Sequence, residues 1–396
     1  MKKILKKIYN KLATKIYKFT TLKVMYPFYY NLIKLKDINP KSVVFCEVRS
    51  LKLTDSFFLL VNKYKQEGFD VKIHFLGETN VGVVPYTKRS LAFLKDMATA
   101  KYVFLSDACN VTSCINKRSE TILTQLWHAC GAFKKFGYST AELKFGVSLK
   151  QMEKYPYYKN INYITVSSPE IAWAYQEAMH SKVYKSETIA TGVSRTDVFF
   201  DDNFIKNAQK ELSYAIPLSK NKKIILYAPT FRGAVRSAKS PDELDIPMLY
   251  ENFGDEYMIL IKRHPFVKKA HVIEDKYRHF AIDVSSLLSI ENLICVSDIC
   301  ISDYSSLVFE YSIFERPMIF FAPDIDDYND WRGFYYSYEE LTPGPVLTKT
   351  CEIVEFIKNI EQSFDQSKVK QFKEKFMQSC DGNSTQRIFD FLNTKG

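Results

Sequence analysis

Apolar positions along the chain fall into two successive series of short runs. The first comprises KSVVFCEV (41–48), VKIHFLG (71–77), KYVFLSD (101–107), TQLWHA (124–129) and YITVSS (163–168). Stretches of helical spacing separate them, the clearest being TDSFFLLVNKYKQEG at 54–68. Runs that are continuously apolar, rather than alternating, predict strands buried on both faces and so a parallel sheet covered by helices. After Gly192 the pattern starts again with KKIILYAPT (222–230), YMILIKRHP (257–265), ICISDYSS (299–306) and PMIFFAP (317–323). The expected fold is therefore α/β, with two Rossmann-like domains over 37–190 and 191–350 joined near 185–200. A charged, helical segment at 351–396 is expected to pack across the joint.

The first 36 residues read differently. In MKKILKKIYNKLATKIYKF the apolar Ile4, Leu5, Ile8, Leu12 and Ile16 recur at helical spacing and occupy one arc of the helix. Lys2, Lys3, Lys6, Lys7, Lys11 and Lys18 fall outside that arc. Such a basic amphipathic helix predicts in-plane contact with an anionic membrane surface; the alternative is a solvated helix packed on the body by its apolar face.

Charge sharpens this division. The chain has 55 basic and 45 acidic residues, and ten of the lysines lie within residues 1–36, which contain no Asp, Glu or Arg. The remainder is formally neutral, which argues against a nucleic-acid groove in the body. No run of about 18 apolar residues would span a bilayer, and the lysine-broken start lacks a signal-peptide core. The eight cysteines (46, 109, 114, 130, 295, 300, 351, 380) show no zinc spacing and several sit inside apolar runs, as reduced core residues do. A peripheral protein at the cytoplasmic face of the membrane is expected.

Candidate chemistry gathers where the apolar runs end, since ligands of open parallel sheets bind outside the carboxyl ends of their strands. The runs end in His128, in Thr230 with Arg232, in Lys262 with His264, and in Ser305 with Ser306. Ser305 and Ser306 precede a helical stretch, so they suit an anion site at a helix start, although Ser305 also suits a simple cap. Lys262 and His264 share a strand face, leaving Arg263 on the other as a solvated or packing residue. His128 reads equally as a base or as a core histidine, and Gly131 behind it would let a substrate approach. GETNVGVV lacks the Lys-Ser/Thr of a Walker loop, no GxGxxG occurs, and DIDDYND lacks the glycine of a calcium loop.

Taken together and in order, LWHACGAFKKFG, GVSRTD, YAPTFRG, IKRHP, SDYSSLVFEYSIFERPMIFF, DYNDWRGFYY and LTPGPV resemble the teichoic acid glycerophosphotransferase family. These are the CDP-glycerol and CDP-ribitol phosphotransferases of wall teichoic acid and some capsule synthesis. The resemblance covers about 100–360 and is strongest over 222–346. It implies a GT-B-like pair of domains facing a central cleft. It also implies transfer of glycerol phosphate or ribitol phosphate from a CDP-alcohol to a hydroxyl of a lipid-linked saccharide or polyol-phosphate acceptor, with release of CMP. His128 then matches the family's catalytic base and His264 its second essential histidine, here expected as an imidazolium. Thr230, Arg232, Ser305, Ser306 and Arg332 match positions lining the nucleotide–phosphate pocket, and Gly131, Lys262 and Glu310 join the substrate-binding set. The motifs require no cofactor, and a divalent cation on the diphosphate is compatible with them. Ala129 replaces the family's glycine after the histidine, which would be strained if that position needs positive φ. Two alternatives use the same features: a GT-B glycosyltransferase with a sugar nucleotide, and a non-catalytic, membrane-docked nucleotide binder.

Overall fold

The computed structural model describes the chain except for residues 1, 79, 144–145, 234–237, 242, 268–271, 326–332 and 396, and except for the side chains of 2–8, 10 and 11. The chain forms two compact units. The first comprises residues 1–128, 136–195 and 383–396, and the second 129–135 and 196–382.

The first unit holds a six-stranded, all-parallel sheet of β1 (Asn39–Glu47), β2 (Asp70–Phe75), β3 (Ala100–Leu105), β4 (Ile122–Gln125), β5 (Tyr163–Thr165) and β6 (Glu187–Ile189). Their order is β2-β1-β3-β4-β5-β6, so the winding reverses between β1 and β3. The continuous run Val43–Cys46 is fully buried, as a strand covered on both faces must be. Phe45 and Phe104 stack at 4.7 Å on neighbouring strands, and Phe57, Leu60, Val61 and Tyr64 of α3 (Asp55–Gln66) close that core. β4 ends at Gln125, four residues short of the run expected to reach 129. Its partner β3 stops at Leu105, opposite Gln125, and Trp127 takes φ +63°.

The second unit repeats the scheme with β7 (Lys223–Ala228), β8 (Tyr257–Ile261), β9 (Ala281–Asp283), β10 (Ile299–Ser302), β11 (Met318–Phe321) and β12 (Val346–Leu347). The order is β12-β11-β10-β7-β8-β9, all parallel. Counted from β7 this is 6-5-4-1-2-3, the doubly wound arrangement of dinucleotide-binding folds, with its switch point between β7 and β10.

The segment expected at 351–396 does not form one piece. The helix Thr350–Lys358 buries Ile353, Val354 and Ile357 in the core of the second unit, whereas Ser384–Thr394 places Ile388, Phe389 and Leu392 against α3 in the first. No disulfide forms among the eight cysteines, and six of them are buried.

Candidate active site

In the first unit, the ends of β1, β3 and β4 bring together residues that are distant in sequence. His128 lies three residues beyond β4, and its Nδ1 donates to the Ser106 carbonyl at 3.2 Å. The Asp107 carboxylate, buried, stands 3.7 Å from the same nitrogen. Arg49 holds Asp107 from the end of β1 at 2.8 Å, while the Ala108 amide donates to its other oxygen at 2.6 Å. A carbonyl only accepts, so Nδ1 carries the hydrogen and Nε2 carries the lone pair of the neutral ring.

The turn that presents His128 is braced from inside. Gln125 is fully buried; its carboxamide oxygen accepts from the Trp127 amide at 3.1 Å and its nitrogen donates to the Asp107 carbonyl at 3.1 Å. That one side chain ties the exit of β4 to the exit of β3. Trp127 stacks on the imidazole at 4.4 Å and on Phe136 at 4.9 Å. Its left-handed backbone costs about 1–3 kcal/mol, a strain that the buried stack and the Gln125 hydrogen bond offset. Ala129 is not among the positive-φ residues, so its replacement of glycine carries no backbone penalty here.

Although solvent reaches 48% of the His128 side chain, burial by the surrounding protein is the largest influence on the ring and holds its pKa below the usual histidine value. Asp107 and the Ser106 carbonyl pull it upward, and Arg49 and Arg195 oppose them. The ring is therefore a neutral acceptor near neutral pH. Asp107, Ser106, Gln125 and Arg49 were not singled out by the sequence. The available signals were the polar SD that ends KYVFLSD and an amide embedded in an otherwise apolar run.

Gly131 has a different role from the one expected. Residues 129–135 belong to the second unit, where Cys130, Ala132 and Phe133 are buried and Phe133 meets Phe309, Phe334 and Tyr338 edge-on. A Cβ on Gly131 would meet the Phe309 ring at 2.5 Å, and its φ is +58°. The small residue is required by packing and backbone conformation, not to make room for a substrate on that side. Gly131→Ala is expected to destabilise the protein by about 1–3 kcal/mol, seen as a lower midpoint in chemical denaturation.

In the second unit the switch point is held by a buried carboxylate. Asp303, at the end of β10 and 1% exposed, accepts from the Thr230 amide at 2.9 Å and the Thr230 hydroxyl at 3.0 Å. Arg232 approaches the same carboxylate at 2.9 Å, and its Nε and Nη2 form a bidentate pair with Asp324 at 2.5 and 2.9 Å. Tyr304 donates to Asp324 at 3.0 Å and Tyr338 to the Asp303 carbonyl at 3.1 Å. Thr230 and Arg232 thus brace the strand ends, and the guanidinium charge is already balanced by two carboxylates.

Lys262 departs from expectation in the same way. Its ammonium donates to the carbonyls of Ser285 at 2.9 Å and Leu288 at 2.6 Å, closing the turn after β9. Arg263 is not solvated: of the two expected alternatives the packing one agrees with its burial, and it is ion-paired to Asp283. Glu310 is 1% exposed inside the short helix Leu307–Tyr311. Arg332 lies outside the described residues.

His264 packs against the rings of Phe231 at 4.8 Å and Phe266 at 4.5 Å, which also meet each other at 5.5 Å. Its Nδ1 accepts from the Phe266 amide at 3.2 Å. An imidazolium donates from both nitrogens, so this geometry holds the neutral Nε2–H tautomer in place of the expected cation. Ser305 and Ser306 are partly exposed beyond β10, and Ser305 Oγ makes only a long 3.4 Å contact with the Leu307 amide.

The chain as a whole is similar to known proteins. The sequence model of the family described as CDP-Glycerol:Poly(glycerophosphate) glycerophosphotransferase matches residues 28–394. A teichoic acid ribitol-phosphate primase of Bacillus spizizenii is 33% identical over 372 residues, covering 92% of this chain and 94% of the primase. The teichoic acid poly(ribitol-phosphate) polymerase of the same organism is 36% identical over 374 residues, but this chain spans only 58% of the polymerase's length. The solved wall teichoic acid polymerase TagF shares the two-sheet fold, with a TM-score of 0.76 at 24% identity over 98% of each chain. With the family match running through both sheets, the chain belongs to the CDP-glycerol:poly(glycerophosphate) glycerophosphotransferase family.

Proposed function

We propose that this protein transfers glycerol phosphate or ribitol phosphate from a CDP-alcohol to a hydroxyl of a lipid-linked acceptor and releases CMP. The observation that carries the reading is the fixed tautomer of His128, whose Nε2 is the nitrogen suited to accept a proton. In the proposed step the acceptor hydroxyl gives its proton to Nε2 as its oxygen attacks the β-phosphorus. The bond from that phosphorus to the bridging oxygen breaks, and CMP departs with the electron pair. Such a transfer proceeds by positioning and electrostatic stabilisation and needs no covalent intermediate on the protein. His264 Nε2–H, Ser305 and Ser306 are assigned to the diphosphate, and the first unit's strand ends to the acceptor. Arg232 and Lys262 hold the frame in which those donors sit.

The family's description names CDP-glycerol, while the two relatives above are named for ribitol phosphate. CMP release is therefore measured with each CDP-alcohol separately, with a lipid-linked acceptor present and absent. Acceptor-dependent CMP from one donor is the expected result and identifies the alcohol. Nucleotide binding without acceptor-dependent release from either donor sinks the reading.

The N-terminal helix supports a peripheral location on an anionic membrane at the cytoplasmic face. No described helix is long and apolar enough to cross a bilayer. Among the residues expected to meet the membrane, Leu12 is 55% exposed, whereas the side chains of Lys2, Lys3, Ile4, Lys6, Lys7 and Ile8 lie outside the described ones.

A further inference from the structure

The first sheet reverses its winding between β1 and β3, and polar side chains gather beyond that point which neither support His128 nor pair with one another. Ligands of open parallel sheets bind at such switch points. Arg49 follows β1 and Glu78 follows β2, and the Glu78 amide donates to the Val48 carbonyl at 3.0 Å, which ties the two exits together. Tyr86 stands in the first turn of α4 (Val83–Met97), on which α2 (Tyr26–Ile33) packs. Tyr157 is drawn in by its carbonyl, which accepts from the Cys109 amide at 3.1 Å just past the exit of β3.

A nearby acid shows the ordinary arrangement. Glu47, at the end of β1, is buried, and its carboxylate accepts from the Thr54 amide at 2.8 Å and the Thr54 hydroxyl at 2.6 Å. The carboxyl of Glu78 and the hydroxyls of Tyr86 and Tyr157, all partly buried, have no hydrogen-bond partner among the described residues. Burial is the largest influence on all three and raises each pKa. Arg49 lowers those of Glu78 and Tyr157, and Lys18, in the last turn of α1 (Lys2–Phe19), lowers that of Glu78. Polar groups drawn out of water without a partner are costly, and a ligand with its own donors and acceptors removes that cost.

Arg49 adds a charge beside the base. Its Nε meets Asp107 at 2.8 Å, the side chain is 49% exposed, and its two terminal nitrogens have no ion-pair partner among the described residues. Since Asp107 also lies 3.7 Å from His128 Nδ1, guanidinium and imidazole are held only a few ångströms apart.

We infer that Arg49, Glu78, Tyr86 and Tyr157 form the subsite that holds a terminal polyol phosphate of the acceptor, so that its free hydroxyl reaches His128. The phosphate takes the outer edge of the guanidinium, whose paired donors fit two phosphate oxygens. Hydroxyls of the polyol bond the Glu78 carboxyl and the two phenols. In a polyol phosphate only a few bonds separate the phosphate from the free terminal hydroxyl, so a single unit spans from Arg49 to the base. A bare saccharide end would give Arg49 no charge to meet. The inference rests on the transfer proposed above and specifies its acceptor end.

The test is CMP release by the full chain from CDP-glycerol and CDP-ribitol with two soluble octyl glycoside acceptors, one carrying a terminal glycerol phosphate and one ending in the bare sugar. Wild type is expected to prefer the first by about tenfold or more in kcat/KM. Glu78→Ala is expected to raise KM for that acceptor about tenfold and Tyr157→Phe about threefold, with KM for the CDP-alcohol unchanged. Neither variant breaks a side-chain hydrogen bond seen in the fold, so thermal denaturation is expected to show no loss of stability; a purely structural role predicts the opposite. Arg49→Gln also loosens Asp107 and slows both acceptors, but it is expected to shrink the preference between them, a ratio in which the common loss cancels. If wild type uses the glycerol phosphate acceptor while Glu78→Ala and Tyr157→Phe leave its KM unchanged, the subsite is overturned and the transfer reading stands. Equal use of both acceptors by wild type overturns the phosphate assignment and with it the inference. If wild type binds nucleotide but releases no CMP with either acceptor, the transfer reading and the subsite fall together.

Discussion

Replacing His128 with alanine is expected to lower kcat for CMP release by about 10²–10⁴-fold, the usual contribution of a positioned general base, with little change in KM for the CDP-alcohol. The split follows from the proposed roles, since His128 acts on the acceptor proton while the donor is held elsewhere. The pH profile gives a second readout. The protonated ring cannot accept a proton, so activity falls on the acid side as His128 titrates. Because burial lowers its pKa, that limb lies below the ordinary histidine value of about 6.5. The Asp107 carboxylate stabilises the imidazolium and so raises the pKa. Asp107→Asn is therefore expected to move the acid limb to still lower pH. The same variant loosens the ring, and displacement of a reacting group by about 1 Å costs up to ~10²-fold in rate. The Ser106 carbonyl continues to hold the Nδ1 hydrogen in this variant, which keeps the loss below that of His128→Ala. An unchanged acid limb in Asp107→Asn would show that the carboxylate does not act through His128. Full activity in His128→Ala would remove the base assignment.

Asp303→Ala is expected to destabilise the protein by about 3–5 kcal/mol, the cost of breaking a buried ion pair by removing one partner. Four groups lose their acceptor at once: the Thr230 amide, the Thr230 hydroxyl, the Tyr304 amide and one arm of Arg232. Little water can reach the vacated position, because Thr230 is itself buried. Asp303→Asn keeps an oxygen for the two backbone amides now on Oδ1 but turns an NH₂ toward Arg232, so a smaller loss is expected. The midpoint of chemical denaturation reads both. If Asp303→Ala leaves it unchanged, the carboxylate is not what holds the switch point together.

Much of this was legible in the chain. The strands covered on both faces announced themselves as continuous apolar runs, because a buried parallel strand must be apolar on both sides. The strands β6, β9 and β12 were missed, being only three, three and two residues long, too short to establish any period. His128, His264, Ser305 and Ser306 were visible because chemistry at the end of a strand interrupts an apolar run. The two-domain α/β expectation followed from the same pattern, and the family's motif order agreed with it.

What the chain could not show by itself was which polar residues are consumed by one another. Arg232 and Lys262 have the same charge and the same strand-end setting as ligand-binding cations. Arg232 is balanced by Asp303 and by Asp324, 92 residues further on, and Lys262 by carbonyls 23 and 26 residues away. Asp107 reaches His128 only because β3 and β4 are neighbours in the sheet, and Gly131 is a glycine because Phe309 fills the space behind it. Burial is encoded locally, since each side chain carries its own transfer free energy. Pairing is a property of strand order and loop closure, so only the assembled fold decided which charges were cancelled and which imidazole nitrogen kept its lone pair.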